Sequence, residues 1–216
     1  MCFFTKQTKK AVEIELRFNA KFSEPDQFTP TDMISGFTFP KTPVITNQNQ
    51  HLIQHYNWGL IPEWSANDEI RKYTLNARIE TLEEKTSFKN YISNRCLIIA
   101  NGFYEWQWLD KKGKNKQKYE ITLPEEELFS FAGIWSAWED LSGEQRFTYS
   151  LLTTEANKLM SEIHNTKKRM PVILSKEQEK LWLGNTPADK FKKINPSLIA
   201  RKIEEINDNN RQLGLF

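Results

Sequence analysis

The sequence predicts an α+β domain built on a curled, mainly antiparallel β-sheet of barrel-like form, with helices at its periphery. Three observations predict it. Residues 95–100, Arg-Cys-Leu-Ile-Ile-Ala, form a continuous apolar run, the pattern of a strand covered on both faces. Further runs rich in β-branched and aromatic residues recur at meander spacing, with turn residues such as Ser142-Gly143 between them. Helical patterns are short and stand after the strands, at 154–160, 176–183 and 188–192.

In chain order, residues 1–20 read as one or two strands. Phe3 and Phe4, then the alternating Val12, Ile14 and Leu16, tie this opening into the core. Residues 21–50 are rich in Pro, Thr, Asn and Asp and read as loop, with a short strand near 43–46. Residues 51–58 alternate as a strand that stops at Gly59 and Pro62. Residues 75–80 are extended and lead into a short helix within 81–88. The buried strand 95–100 is followed at once by Asn101-Gly-Phe-Tyr-Glu-Trp-Gln-Trp108, and the lysine-rich 110–118 is a hairpin tip. Strands at 129–135 and 147–152 flank the Ser142-Gly143 turn, and Thr153 or Thr154 caps the helix after them. A basic loop, 163–171, leads into a strand at 172–174. One domain is expected over 1–205, with 206–216 as a polar, flexible tail.

Composition narrows the function. A chain of 216 residues can bury a sizeable core, and 38% hydrophobic with 27% charged residues is the balance of a soluble protein. No apolar run is long enough to span a membrane and no signal peptide is evident, so the cytoplasm is expected. Cys2 and Cys96 stand too far apart in sequence, and are too few, for a disulfide framework; Cys96 reads as a core residue. A net charge of +2 means that any nucleic-acid contact must come from a local basic face. His51 and His55 share one strand face without a third ligand nearby, so neither metal nor cofactor is expected.

The chemistry centres on Cys2. Removal of Met1 would give its residue an α-amine and a thiol on adjacent carbons, a pair that condenses with aldehydes to a five-membered thiazolidine. An α-amine has a pKa of ~7.7–8.0 against ~10.4 for lysine, so more of it is neutral at physiological pH. Three groups could assist. Glu105, flanked by aromatics after the buried strand, is either an edge carboxylate facing water or a desolvated acid–base group. His164 lies beside Lys167, Lys168 and Arg169, whose charge favours its neutral form; a plain helix-capping role is the alternative. Asn76 and Arg78, two apart in an extended segment, can face one site, the amide to orient an amine and the guanidinium to clamp a phosphate.

Met1-Cys2, Trp58-Gly-Leu-Ile-Pro62, Asn76-Ala-Arg-x-Glu80-Thr81, Arg95-Cys-Leu-Ile, Gly102-Phe-Tyr-Glu-Trp106 and Arg169-Met-Pro-Val-Ile-Leu174 occur in that order. Together they resemble the SRAP family of abasic-site processing proteins, from residue 1 to about 175. The resemblance implies loss of Met1 and capture of the ring-opened abasic aldehyde in single-stranded DNA by Cys2. It implies that Asn76 orients the Cys2 amine and the sugar, and that Glu105 moves protons. His164 would assist imine formation and crosslink reversal or strand scission. Arg78 and Arg169 would hold phosphates, with Lys167 and Lys168 beside them, and Trp64 and Trp106 would line the DNA groove. A monomer acting on the nucleoid, with lyase and peptidase-like self-processing activities and a role in the response to DNA damage, completes the expectation. Two departures stand out. Phe3-Phe4 follows Cys2 where the family has Gly-Arg, so a phosphate contact is expected to be lost, and whether Lys6 replaces it stays open. Four residues separate His164 from Arg169 where the family has one.

The tail resembles a different motif. Gln212, Leu213, Leu215 and Phe216 fit the short peptide by which bacterial repair and replication proteins bind the sliding clamp, with packing on the chain's own domain as the alternative. Two other function classes are open as well. An N-terminal-cysteine amidohydrolase would use the amine as base and the thiol as nucleophile. A non-catalytic single-strand binder would use the Trp and Lys/Arg face and leave Cys2 dispensable.

Overall fold

The structure, a computed structural model, describes residues 2–184 and 186–204. Gln212, Leu213, Leu215 and Phe216 lie outside the described residues, as does Met1. Fourteen strands and three α-helices are described: β1 Phe4–Gln7, α1 Ala11–Phe18, β2 Lys21–Phe22, β3 Thr31–Ser35, β4 Lys41–Thr46, β5 Leu52–Trp58, β6 Asn76–Arg78, β7 Arg95–Ala100, β8 Gly102–Trp108, β9 Lys116–Thr122, β10 Phe129–Glu139, β11 Gln145–Glu155, α2 Lys158–Ile163, β12 Arg169–Pro171, β13 Ile173–Leu174, α3 Lys176–Leu183 and β14 Ile199–Ile203.

The larger sheet runs β12-β11-β10-β7-β4-β5-β2, with β13 on β10 and β6 on β11. A parallel contact, Thr148 with Asn57 and Tyr149 with Trp58, joins β11 back to β5. That contact closes β5, β4, β7, β10 and β11 into a five-stranded barrel, which leaves these strands no open edges along the ring. All six residues of β7 are buried, as an apolar run covered on both faces requires. Gly133 of β10 faces β7 across the pairing. A Cβ there would stand 2.7 Å from the Ile98 side chain and 2.8 Å from Cys96 Sγ, so no larger residue fits. Trp58 and Tyr149 stack at 6.1 Å over that β5–β11 contact, the indole N–H donating to Leu75 O at 2.8 Å and the phenol bonding Thr42 at 2.8 Å. The α+β class and the curled, mainly antiparallel sheet expected from the sequence are what the structure shows.

The second sheet, β14-β9-β8-β1-β3, carries the start of the chain. β1 is inserted between β8 and β3, pairing Phe4 with both Tyr104 and Ser35. Asn101 pins its end, accepting from Thr8 N at 2.8 Å and donating to Thr8 Oγ1 at 3.0 Å. The opening of the chain is thereby a fixed part of the core.

Four expectations change. Ala11–Phe18 is a helix rather than a strand. Its Glu, Leu and Arg are good helix formers, Glu13 accepts from Lys10 N at 2.8 Å, and Asn19 ends it in the left-handed region at φ 49°. Only Ile14 of the alternating trio is buried; Val12 and Leu16 are 57% and 78% exposed. Arg17 docks this helix on α3 by a bidentate pair with Glu179 at 3.0 and 2.9 Å. The helix expected from Thr154 starts four residues later, because Thr153, Thr154 and Glu155 are held in β11 by pairing with β12. Asn157 is its cap, accepting from Met160 N at 3.0 Å. The helix expected within 81–88 is a run of turns. β3, expected as loop, and β14 form the two edges of the second sheet.

Candidate active site

Cys2 lies at the junction of the two sheets and is 1% exposed. Its thiol lies 3.6 Å from Phe4 O. Burial, and after it the charge of Glu105, pushes the thiol up to about 12, so in this state it is a protonated, unreactive group.

Asn76 reaches it from β6. That strand is parallel to β11, pairing Asn76 with Leu151, and Ala77 points into the core between the outward Asn76 and Arg78. The Asn76 amide N–H donates to Cys2 O at 2.9 Å. Its Oδ1 is buried and has no hydrogen-bond partner among the described residues. An orphaned acceptor is costly, and this one belongs to the amide that already bonds the Cys2 backbone.

Glu105 comes from β8, the neighbour of β1, and its side chain is 12% exposed. One carboxylate oxygen accepts from Trp106 N at 3.1 Å; the other is 4.0 Å from His164 Nδ1. His164 ends α2, with its ring 8% exposed. Burial lowers its pKa, against the opposing pull of Glu105, and keeps the ring neutral near pH 7. Arg169 meets the same ring nitrogen in two ways: Nδ1 is 2.8 Å from Arg169 O, and Arg169 N–H donates to Nδ1 at 3.2 Å. A protonated Nδ1 donates to the carbonyl and a bare Nδ1 accepts from the amide. Nδ1 therefore has a backbone partner in Arg169 whether or not it carries the proton.

The longer loop after His164 has its own anchor. Asn165 accepts from Trp108 N at 3.1 Å and donates to Trp108 O at 2.8 Å, while Gln107 bonds Glu162 O at 2.9 Å. Lys168 turns the chain back at φ 48°, its N–H bonding His164 O at 2.9 Å. The loop thus clips α2 to β8, the strand that carries Glu105. Motif spacing gave no sign of Asn165, because its partner is reached only through the fold.

The phosphate-holding expectations meet a mixed geometry. Arg78 is exposed, Trp64 is 56% exposed, Lys167 and Lys168 face solvent, and Trp106 is half-buried. Arg169 is instead engaged, its fork bonding Glu80 at 2.9 and 2.7 Å and Thr153 O at 2.8 Å. Burial alone would raise the Glu80 carboxyl; the Arg169 fork overrides it and holds the pKa below the usual range. Lys6 is bonded to Glu120 and 9% exposed, so it does not offer a free cation beside Phe3 and Phe4. Among the described residues no three His, Cys, Asp or Glu side chains are grouped to hold a metal, and no helix is long and apolar enough to cross a membrane.

Comparison with known proteins fixes the family. The model for the SOS response associated peptidase (SRAP) family matches residues 1–207. The abasic site processing protein YoqW of Bacillus subtilis is 42% identical over 149 residues, 68% of this chain and 64% of the relative. The chain therefore spans a little under two thirds of that relative's length. The abasic site processing protein HMCES of Gallus gallus is 33% identical over 162 residues, 63% of this chain and 46% of its own length. A protein of Bacteroides thetaiotaomicron solved by crystallography superposes with a TM-score of 0.85 at 35% identity, covering 94% of this chain and 92% of that one. The closed barrel, the buried second-position cysteine and these matches agree: the chain belongs to the SRAP family.

Proposed function

We propose that this protein processes abasic sites in single-stranded DNA by a covalent crosslink through Cys2, after Met1 is removed. The observation that carries the reading is the Asn76 bond to Cys2 O, with the charge of Glu105 acting on the same residue and His164 standing 4.0 Å behind Glu105. The α-amine adds to the C1′ aldehyde of the ring-opened sugar, and loss of water gives an imine. The thiol then adds to the imine carbon, its proton passing to nitrogen, and closes the thiazolidine. One aldehyde and one aminothiol become one ring and one water.

Each neighbour has a role in that sequence. Asn76 Oδ1, buried and unpartnered among the described residues, accepts from the new amine and aims its lone pair. Glu105 and His164, 4.0 Å apart, form the proton path: one takes the amine or thiol proton while the other supplies a proton to the departing hydroxyl. Removal of Met1 also changes the thiol. A terminal ammonium beside it favours the thiolate, against the burial that holds it protonated here. Arg78, Lys167, Lys168 and Trp64 supply exposed cations and an aromatic for the strand, with the half-buried Trp106 beside Phe4. Protection of abasic sites during replication, lyase activity and self-removal of Met1 extend the same reading.

The test is a denaturing gel of the purified protein after incubation with single-stranded DNA carrying an abasic site. A shifted, heat-stable band is expected with the native protein and its absence with Cys2→Ala. Non-covalent binding of equal strength in both, with no shifted band in either, would instead favour a plain single-strand binder. The clamp contact expected of Gln212 to Phe216 rests on sequence. Deleting those five residues should abolish clamp pull-down and leave crosslinking intact, and unchanged pull-down would reject it.

A further inference from the structure

An aromatic row flanks Cys2. Phe3 stacks on Phe37 at 4.8 Å, Phe4 meets the edge of Phe37 at 6.0 Å, and Phe4 meets Trp106 at 4.9 Å. The row is built in advance of any ligand. Gly36 N–H donates to Phe3 O at 2.8 Å, and β1 is paired on both sides. Gly36 itself is pressed on the Trp58 ring, where a Cβ would stand 3.2 Å away. The turn that follows gives its two phenylalanines different neighbours. Phe39, left-handed at φ 52°, lies under the Arg71 guanidinium at 4.2 Å, whereas Phe37 is left 55% exposed. At the far end Lys118 sits 4.5 Å over Tyr104 and 5.7 Å over Trp106. Lys6, the cation nearest Cys2 in sequence, is committed to Glu120, with Asp32 at 3.7 Å and Glu126 at 3.8 Å.

We propose that Phe37, backed by Phe3 and Phe4, is a stacking platform for the base of a nucleotide flanking the abasic site; the inference rests on the function proposed above. The chemistry selects this occupant. A nucleotide beside an abasic position has lost its stacking neighbour on one side, so one π-face of its base is bare to water. Phe37 offers a half-exposed ring, already ordered by its stack on Phe3, the residue that follows the reacting cysteine. Covering the two faces together recovers dispersion and apolar burial with little ordering entropy. Binding at this subsite is then read through ring area rather than charge. Purines are favoured over pyrimidines, and the contact is nearly independent of salt, unlike a phosphate clamp.

The experiment uses the full chain and oligonucleotides carrying a tetrahydrofuran abasic analogue, which has no aldehyde and cannot crosslink. One probe has a purine on each side of the analogue, the other has further tetrahydrofuran positions there. The native protein should prefer the first by about tenfold to a hundredfold. Phe37→Ala should lose most of that preference and Phe37→Trp should keep it, with the slope of log affinity against log salt unchanged between them. An undiminished preference in Phe37→Ala overturns the platform, and so does a salt slope that falls by about one phosphate. The two readings fail separately. Cys2-dependent crosslinking without the Phe37-dependent preference keeps the proposed function and rejects the platform, while the preference without any crosslink does the reverse.

Discussion

Cys2 and Cys96 are both buried, 1% and 0% exposed, and burial pushes both thiols well above their ordinary pKa. Their surroundings have nothing else in common. Cys96 sits in β7 with Ile98 and Gly133 about it, its backbone carbonyl accepting from the Trp182 indole at 3.1 Å. Cys2 has the Asn76 amide on its carbonyl, Glu105 close enough to act on its charge, and His164 behind Glu105. Burial alone therefore does not mark a nucleophile. The mark is a buried thiol with an amide, a carboxylate and an imidazole grouped about its residue, where Cys96 has a β-branched side chain and a glycine. On the proposed function, removing Met1 makes a reagent of the first thiol and leaves the second as it is.

Variants can break this contrast, and the largest effect is expected at the cysteines themselves. Cys2→Ala should abolish crosslinking on a denaturing gel. Cys96→Ala should leave the yield unchanged and cost about 1 kcal/mol in chemical denaturation, from a small cavity. Equal loss of crosslinking in the two would show that the Cys2 effect is one of folding. Glu105→Gln, which keeps size but removes the carboxylate, should slow crosslinking by roughly a hundredfold or more in single-turnover time courses, the scale of a general acid–base. An unchanged rate would leave Glu105 a structural carboxylate.

The histidine is expected to show in pH dependence. Burial holds the His164 pKa below its ordinary ~6.5, so protonation, and loss of its acceptor nitrogen, should begin only at more acidic pH. The rate profile of the native protein should fall off on the acid side only below the pH at which a free imidazole protonates, a limb that His164→Gln lacks, the α-amine limb being common to both. Identical profiles would remove His164 from the proton path. The smallest effect belongs to Asn165→Ala. Loss of its two bonds to Trp108 should slow crosslinking a few-fold and lower stability by about 1 kcal/mol, without moving the pH profile.

The strands of the barrel were legible because their periodicity is set by burial on one face or two. α1 was not, because Val12, Ile14 and Leu16 alternate like a strand while the residues between them are helix formers, and a helix that buries only Ile14 leaves little helical signature. β14 escaped because an edge strand paired only with β9 needs no apolar run. In the site, Cys2, Asn76, Glu105 and His164 could be named from local motifs, but their company could not. The Arg169–Glu80 pair, the Asn165 clip on Trp108 and the stack of Phe37 on Phe3 each join segments far apart in sequence. Spacing along a chain carries no information about such contacts.

If one residue supplies both reacting atoms, the intact mass of the adduct carries the signature. After reaction with an oligonucleotide carrying a single abasic site, the product should weigh the protein without Met1 plus the DNA minus one water. It should resist borohydride, since a closed thiazolidine has no imine left to reduce. A product that retains Met1, or one that forms equally well with Cys2→Ala, would contradict the account.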